Sequence, residues 1–154
     1  MANFDTSEMR DPAVAFPTSG VHFVRGRYVN GSTAITTSDD LRLTYLPKGA
    51  AIIPELCSFF SDDVDPDSAG NLTVAMKVTD GTTTKTIIAA TALQAINKRV
   101  TAAEAAITAF TFFKTSSDNF VVYLEPAVGD IDASAEIYWV VAYTMDTGRA
   151  ETTT

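Results

Sequence analysis

Leu72-Thr73-Val74-Ala75-Met76-Lys77-Val78-Thr79-Asp80-Gly81 is the stretch from which the fold is read. Leu72, Val74, Met76 and Val78 alternate with Thr73, Ala75, Lys77 and Thr79, the period of a strand with one face in a core and the other in water. Asp80-Gly81 tolerates the positive φ of a tight turn, so the chain is expected to return through Thr82-Thr83-Thr84 into a second strand at Lys85 to Ile88.

Short strand-like segments of the same kind recur on either side between turn signals, the pattern of an all-β sandwich or barrel. Val21 to Val29 runs to Asn30-Gly31, which is read as a hairpin returning through Ala34-Ile35-Thr36-Thr37. Leu41-Arg42-Leu43-Thr44-Tyr45 alternates, and Pro47-Lys48-Gly49 turns the chain into Ala51 to Phe60, where Pro54 calls for an edge position or a bulge. Phe120 to Leu124 follows a polar turn at Ser116 to Asn119. Ala135 to Met145 closes the domain as a central strand with Ile137, Trp139, Val141, Tyr143 and Met145 on one face.

Ala89 to Arg99 has helix-forming composition: Ala92, Leu93 and Ile96 share a side, and Lys98 and Arg99 stand where positive charge suits the helix dipole. It is read as one short helix. A competing reading prolongs helix from Thr101 to Ala109, but the β-branched and aromatic content of Ile107 to Phe113 assigns the second half of that region to a strand. The expectation is an antiparallel, jelly-roll-like β-sandwich of about eight strands, in preference to a closed barrel. Residues 21–146 form the sandwich. Residues 1–20, with Pro12, Pro17 and Gly20 and no apolar period, form an extended N-terminal arm, and residues 147–154 a flexible tail.

The chain has 154 residues, 46% of them apolar and 19% charged, the make-up of one folded domain. Such a chain buries roughly 70% of the surface its extended form exposes, so it needs no disulfide or metal. The single Cys57 agrees with that. A net charge of -8 and a pI near 4.4 oppose nucleic-acid binding, and the 11 Lys and Arg form no basic cluster along the chain. Asp5, Glu8, Arg10 and Asp11 interrupt any secretory signal, and no uncharged run is apolar enough to span a bilayer. Neither a nucleic acid nor a membrane is expected as a partner, and synthesis in a cytoplasm is.

The chemistry for catalysis is thin. His22 is the only histidine and sits among Val21, Phe23 and Val24 with no nucleophile partner in any motif, so a structural or surface role is expected. Cys57, two residues before Phe59 in an apolar segment, is read as a buried inert thiol. No phosphate-cradling loop and no nucleophile elbow occur. Asp62-Asp63-Val64-Asp65-Pro66-Asp67 concentrates four carboxylates that could hold calcium. Counted from Asp63, however, Ser68 stands where a calcium loop has glycine and Val74 where it has glutamate, so a solvated loop is preferred. Asp130-Ile131-Asp132 is sparser still. The expectation is no enzyme, with no catalytic, cofactor-binding or metal residues and no cofactor. Adjacent Phe59-Phe60 and Phe112-Phe113 point to opposite sides if extended, so one ring of each pair needs a second buried surface such as a subunit interface.

The order of features resembles the capsid decoration (cement) proteins of tailed phages. The resemblance is carried by Leu41-Arg42-Leu43-Thr44-Tyr45-Leu46-Pro47-Lys48-Gly49-Ala50 leading into Ile52-Ile53-Pro54-Glu55-Leu56. The strand at Leu72 to Val78 with Asp80-Gly81, the alanine-rich Ala89 to Ala95, and the closing Trp139-Val140-Val141-Ala142-Tyr143-Thr144 complete it. It spans residues 41–145 and is one of pattern, not of a diagnostic motif. It implies a single jelly-roll sandwich, a homo-oligomer and often a trimer, seated on the outside of an icosahedral shell and clamping neighbouring copies of the major capsid protein. The arm Met1 to Gly20 would suit such a clamp, and the family has no catalytic residues to carry over. A receptor- or carbohydrate-binding module of a phage tail or head fibre, working through the same sandwich, is the alternative.

Overall fold

A computed structural model describes residues 3–5, 20–62, 72–93, 98–103, 110, 113–117 and 119–145. The strands are β1 (Asn3–Asp5), β2 (Val21–Val29), β3 (Asp40–Leu46), β4 (Ala50–Ile52), β5 (Ser58–Asp62), β6 (Thr73–Thr79), β7 (Thr84–Ala92), β8 (Lys98–Thr101), β9 (Phe120–Val128) and β10 (Glu136–Met145). They form two sheets, ordered β1-β3-β9-β6-β7 and β2-β10-β5-β8, with the short β4 also paired to β10. Apart from the parallel addition of β1 to β3, every pairing is antiparallel.

With β1 and β4 set aside, the eight remaining strands alternate between the two sheets along the chain, except that β6 and β7 are direct neighbours. That order, first-eighth-third-sixth over second-seventh-fourth-fifth, is the jelly roll. The core lies between the sheets. Leu41, Val74, Met76 and Leu124 of one face Phe59, Ile137, Trp139 and Val141 of the other, each buried. The period of two at Leu72 to Val78 is realised in β6, and the Asp80-Gly81 hairpin into β7 forms as expected. In that turn the Asp80 carboxylate accepts from the amides of Thr82 and Thr83 at 2.9 and 2.6 Å, and Gly81 takes φ +89°. β10 is central, with Ile137, Trp139, Val141 and Tyr143 buried on its inner face and Met145 packed against the core.

Four local expectations are corrected. Asn30-Gly31 is not a hairpin. β2 pairs with β10, and the chain after Asn30 crosses to the other sheet, touching the sandwich through a bridge between Ile35 and Ile131. Asn30 is buried, its side-chain amide donating to the carbonyls of Ile131 and Asp132 and its Oδ1 accepting from Gly31 N, so its polar groups anchor a crossover. At its described residues the segment Ala89 to Arg99 is not helical, since Ala89 to Ala92 continue β7 and Lys98 and Arg99 open β8. Backbone pairing with β6 and burial of Ile87, Ile88 and Leu93 outweigh the weak helical preference of alanine. The strand reading of Ile107 to Phe113 fails at its described residues: Phe110 is helical and its carbonyl accepts from Phe113 N at 3.0 Å. The segment Ala51 to Phe60 is interrupted, because Pro54 opens a 3-10 turn over Pro54–Leu56 between β4 and β5, where its fixed φ fits a first helical position. Of the arm only Asn3–Asp5 and Gly20 are described, and the tail lies outside the described residues.

Candidate functional site

The two outer sheet faces differ. On the β3-β9-β6 face the outward side chains of Ala75, Val121 and Tyr123 are buried. On the β2-β10-β5-β8 face, Val21, Phe23, Val29 and Tyr138 remain exposed, with Phe23 at 57%. β2 is an edge strand, and its alternation places Val21, Phe23, Arg25, Arg27 and Val29 outward, with His22, Val24, Gly26 and Tyr28 half-buried beneath.

Register builds a site on this bare face. Tyr138 of β10 stands opposite Arg27 of β2 on one side and Phe60 of β5 on the other, and Phe60 stands opposite Arg99 of β8. Next to this row, Val140 lies between Arg25 and Ser58. Three inter-strand steps separate Arg27 from Arg99, a span of about 14 Å across the sheet. The rings of Phe60 and Tyr138 lie 5.8 Å apart at an interplanar angle of 60° and form an apolar floor between the arginines. Together these residues line a concavity of about 700 Å³ that includes Arg25, Arg27, Arg99, Phe60, Tyr138 and Val140.

The arginines are not equivalent. Arg27 is held by Glu136 through a two-point contact, Nε to Oε2 at 3.1 Å and Nη2 to Oε1 at 2.5 Å, and its guanidinium sits 5.8 Å from the centre of the Tyr138 ring. The Tyr138 hydroxyl donates to the same carboxylate at 2.9 Å. Hydrogen bonds from Arg27 and then Tyr138 hold the Glu136 carboxyl below the usual range, and Glu136 in turn raises Arg27. Arg25 and Arg99 have no carboxylate partner among the described residues. The sequence, in which Arg99 lies far from Arg25 and Arg27, showed no basic cluster, and only strand pairing assembles this one. One local signal pointed to it: Phe23, Arg25 and Arg27 share a side of a single strand, and Phe60 faces away from buried Phe59.

The other residues singled out from the sequence lie elsewhere. His22 stacks on Tyr143 with ring centroids 5.3 Å apart, at the far end of β2 from Arg27. Cys57 is buried, its thiol donating to the Ile53 carbonyl at 3.3 Å and its sulfur accepting from Ala142 N at 3.4 Å; burial pushes it up to about 11. Of the acidic stretch, residues 63–67 lie outside the described residues, as does Phe112. Among the described residues no group of three or more His, Cys, Asp or Glu side chains could hold a metal, and no helix is long and apolar enough to cross a membrane. The arrangement on the bare face sets fixed positive charge over an aromatic floor, chemistry suited to holding an anion.

The strand order defines an antiparallel jelly-roll sandwich carrying a basic, aromatic concavity on one open sheet face. No family model matches the chain, and no curated protein does. Among solved structures, a chain of "Capsid of Ralstonia phage GP4" is similar to it with a TM-score of 0.71 and 18% identity, over 94% of this chain and 98% of that one. The two share a fold over nearly their whole lengths.

Proposed function

We propose that this chain is a structural protein of a phage capsid, and within that role a decoration or cement protein on the outside of an icosahedral shell. The observation that carries the reading is the near-complete overlap in fold with a chain of a phage capsid. The bare sheet face adds to it, since Val21, Phe23, Val29 and Tyr138 leave apolar surface that a monomer would keep wet. A homotrimer would cover part of that surface by closed symmetry, and the major capsid protein would be the second partner. Residues 1–20, of which Asn3–Asp5 pair with β3, act as the arm that reaches the shell from the sheet edge, residues 21–146 as the folded unit and residues 147–154 as a tail. The work is binding spread over many copies, without catalysis or cofactor, and the place of action is the virion.

A cryo-electron microscopy map of particles carrying the protein tests this. Density for the sandwich is expected above the shell lattice and is expected to vanish, shell intact, after release with mild denaturant. Density built into the continuous shell, or in the tail alone, would overturn the decoration role. Light scattering at tens of micromolar is expected to report a trimer. Deleting residues 1–20 is expected to leave a cooperative melt and to weaken particle binding, and loss of the melt would place the arm in the core.

The fibre-module reading draws support from the same concavity, since an aromatic floor with polar neighbours is a sugar-binding arrangement. Its chemistry argues for a different ligand. The Tyr138 ring carries the Arg27 guanidinium, and Arg25 and Arg99 flank the floor, which suits an anion better than a neutral sugar.

A further inference from the structure

We infer that the open face of the β2-β10-β5-β8 sheet docks an extended acidic polypeptide segment in which an apolar residue stands midway between two carboxylates four residues apart. Charge selects the ligand: on a chain of net charge -8, three arginines converge on one concavity, and two of them have no carboxylate partner among the described residues. Geometry selects its form. Arg25 and Arg27 on β2 and Arg99 on β8 stand on opposite sides of the Phe60, Tyr138 and Val140 floor, about 14 Å apart across three strands. An extended segment rises about 3.3 Å per residue with alternate side chains on one face, so carboxylates at positions i and i+4 meet both sides while an apolar side chain at i+2 covers the floor between them. Arginine suits this role because its planar fork grips a carboxylate at two points, as Arg27 already grips Glu136. A compact anion such as free phosphate would reach one side only and leave the floor wet. The inference rests on this face alone and holds whether or not the protein decorates a shell. If it does, the segment names the chemistry that the shell presents.

The test uses the full chain and a fluorescein-labelled peptide, Gly-Ser-Asp-Ser-Leu-Ser-Asp-Ser-Gly, followed by anisotropy, with the peptide in which every Asp is Asn as control. Binding of the acidic peptide is expected, weakening as salt rises, with none by the control. The exposed-site variant Arg25→Glu/Arg99→Glu is expected to weaken binding about ten-fold or more with an unchanged melting temperature. Arg25→Lys/Arg99→Lys is expected to keep part of it. Four results overturn the inference: no binding of the acidic peptide up to about 1 mM, equal binding of the control, an unchanged affinity in the charge-reversed protein, or a preference for polygalacturonate at matched charge. Sedimentation of the same variant decides the remaining occupant. If charge reversal abolishes self-association, the face belongs to a second copy of this chain and a foreign segment is ruled out. Failure of the wild-type chain to bind the acidic peptide while it still attaches to particles would leave the capsid reading standing and this one refuted.

Discussion

Gly129→Ala is expected to destabilise the sandwich by about 2–5 kcal/mol. Gly129 follows β9 with φ +73°, in the left-handed region, where an L side chain costs roughly 1–2 kcal/mol. A Cβ there would also stand 3.2 Å from Leu72 Cα and 3.3 Å from Leu72 N. These are backbone atoms of a residue that is 1% exposed and whose carbonyl accepts from Leu93 N at 3.0 Å. Leu72 cannot retreat without disturbing that bond and the packing of its side chain, and such overpacking costs about 1–3 kcal/mol more. Two other glycines separate the contributions. Gly49 and Gly81 also have positive φ, +83° and +89°, but an added Cβ meets nothing within 4 Å at either. Their alanine variants are expected to lose only the conformational part, roughly 1–2 kcal/mol. Gly129→Asn should recover some of the conformational part and none of the steric part. Guanidinium unfolding at 25 °C and one fixed protein concentration measures all four, and each kcal/mol should lower the melting temperature by about 2–4 °C in a chain of this size. If Gly129→Ala falls within about 0.5 kcal/mol of Gly81→Ala, the contact with Leu72 carries no cost and the reasoning is wrong.

Three further outcomes are expected. Thr115→Val should cost about 1–3 kcal/mol by denaturant unfolding, because the buried hydroxyl donates to the Pro47 carbonyl at 2.6 Å and accepts from Ala50 N at 2.8 Å; Thr115→Ser should restore most of it. Cys57 rises from 9.0 to about 11 on folding, so its contribution is whole below pH 9 and is lost as pH rises through about 11. Wild type should lose about 2 kcal/mol over that window relative to Cys57→Ala, and native protein at pH 8 should resist a thiol reagent until it unfolds. Tyr123, pushed up from 10.0 to about 12, adds a decline of the same sign between about pH 10 and 12 in both proteins, which the comparison with Cys57→Ala cancels. Ser61→Ala should be neutral or stabilise by up to about 1 kcal/mol, because the Ser61 hydroxyl is fully buried with no hydrogen-bond partner among the described residues; a loss above that size would reveal one.

The sequence by itself determined the class of fold and the inward faces of its clearest strands, because both follow from interactions between near neighbours. Period-two alternation at Leu72 to Val78 and Ile137 to Tyr143 needs only to know that one side meets a core. Asp80-Gly81 forms its hairpin through bonds among four consecutive residues. The tertiary structure alone decided which strands become neighbours. Asn30-Gly31 has hairpin chemistry, yet its amide is spent on the carbonyls of Ile131 and Asp132, partners distant along the chain. Ala89 to Ala92 has helical composition, yet β6 offers an extended partner whose backbone bonds outweigh a preference of a few tenths of a kcal/mol per residue. The candidate site lies at this second level. Arg25, Phe60, Arg99 and Tyr138 come from four strands, and no local rule relates them. They converge because the jelly-roll order sets β2, β10, β5 and β8 side by side, with their outer side chains about 4.8 Å apart from strand to strand.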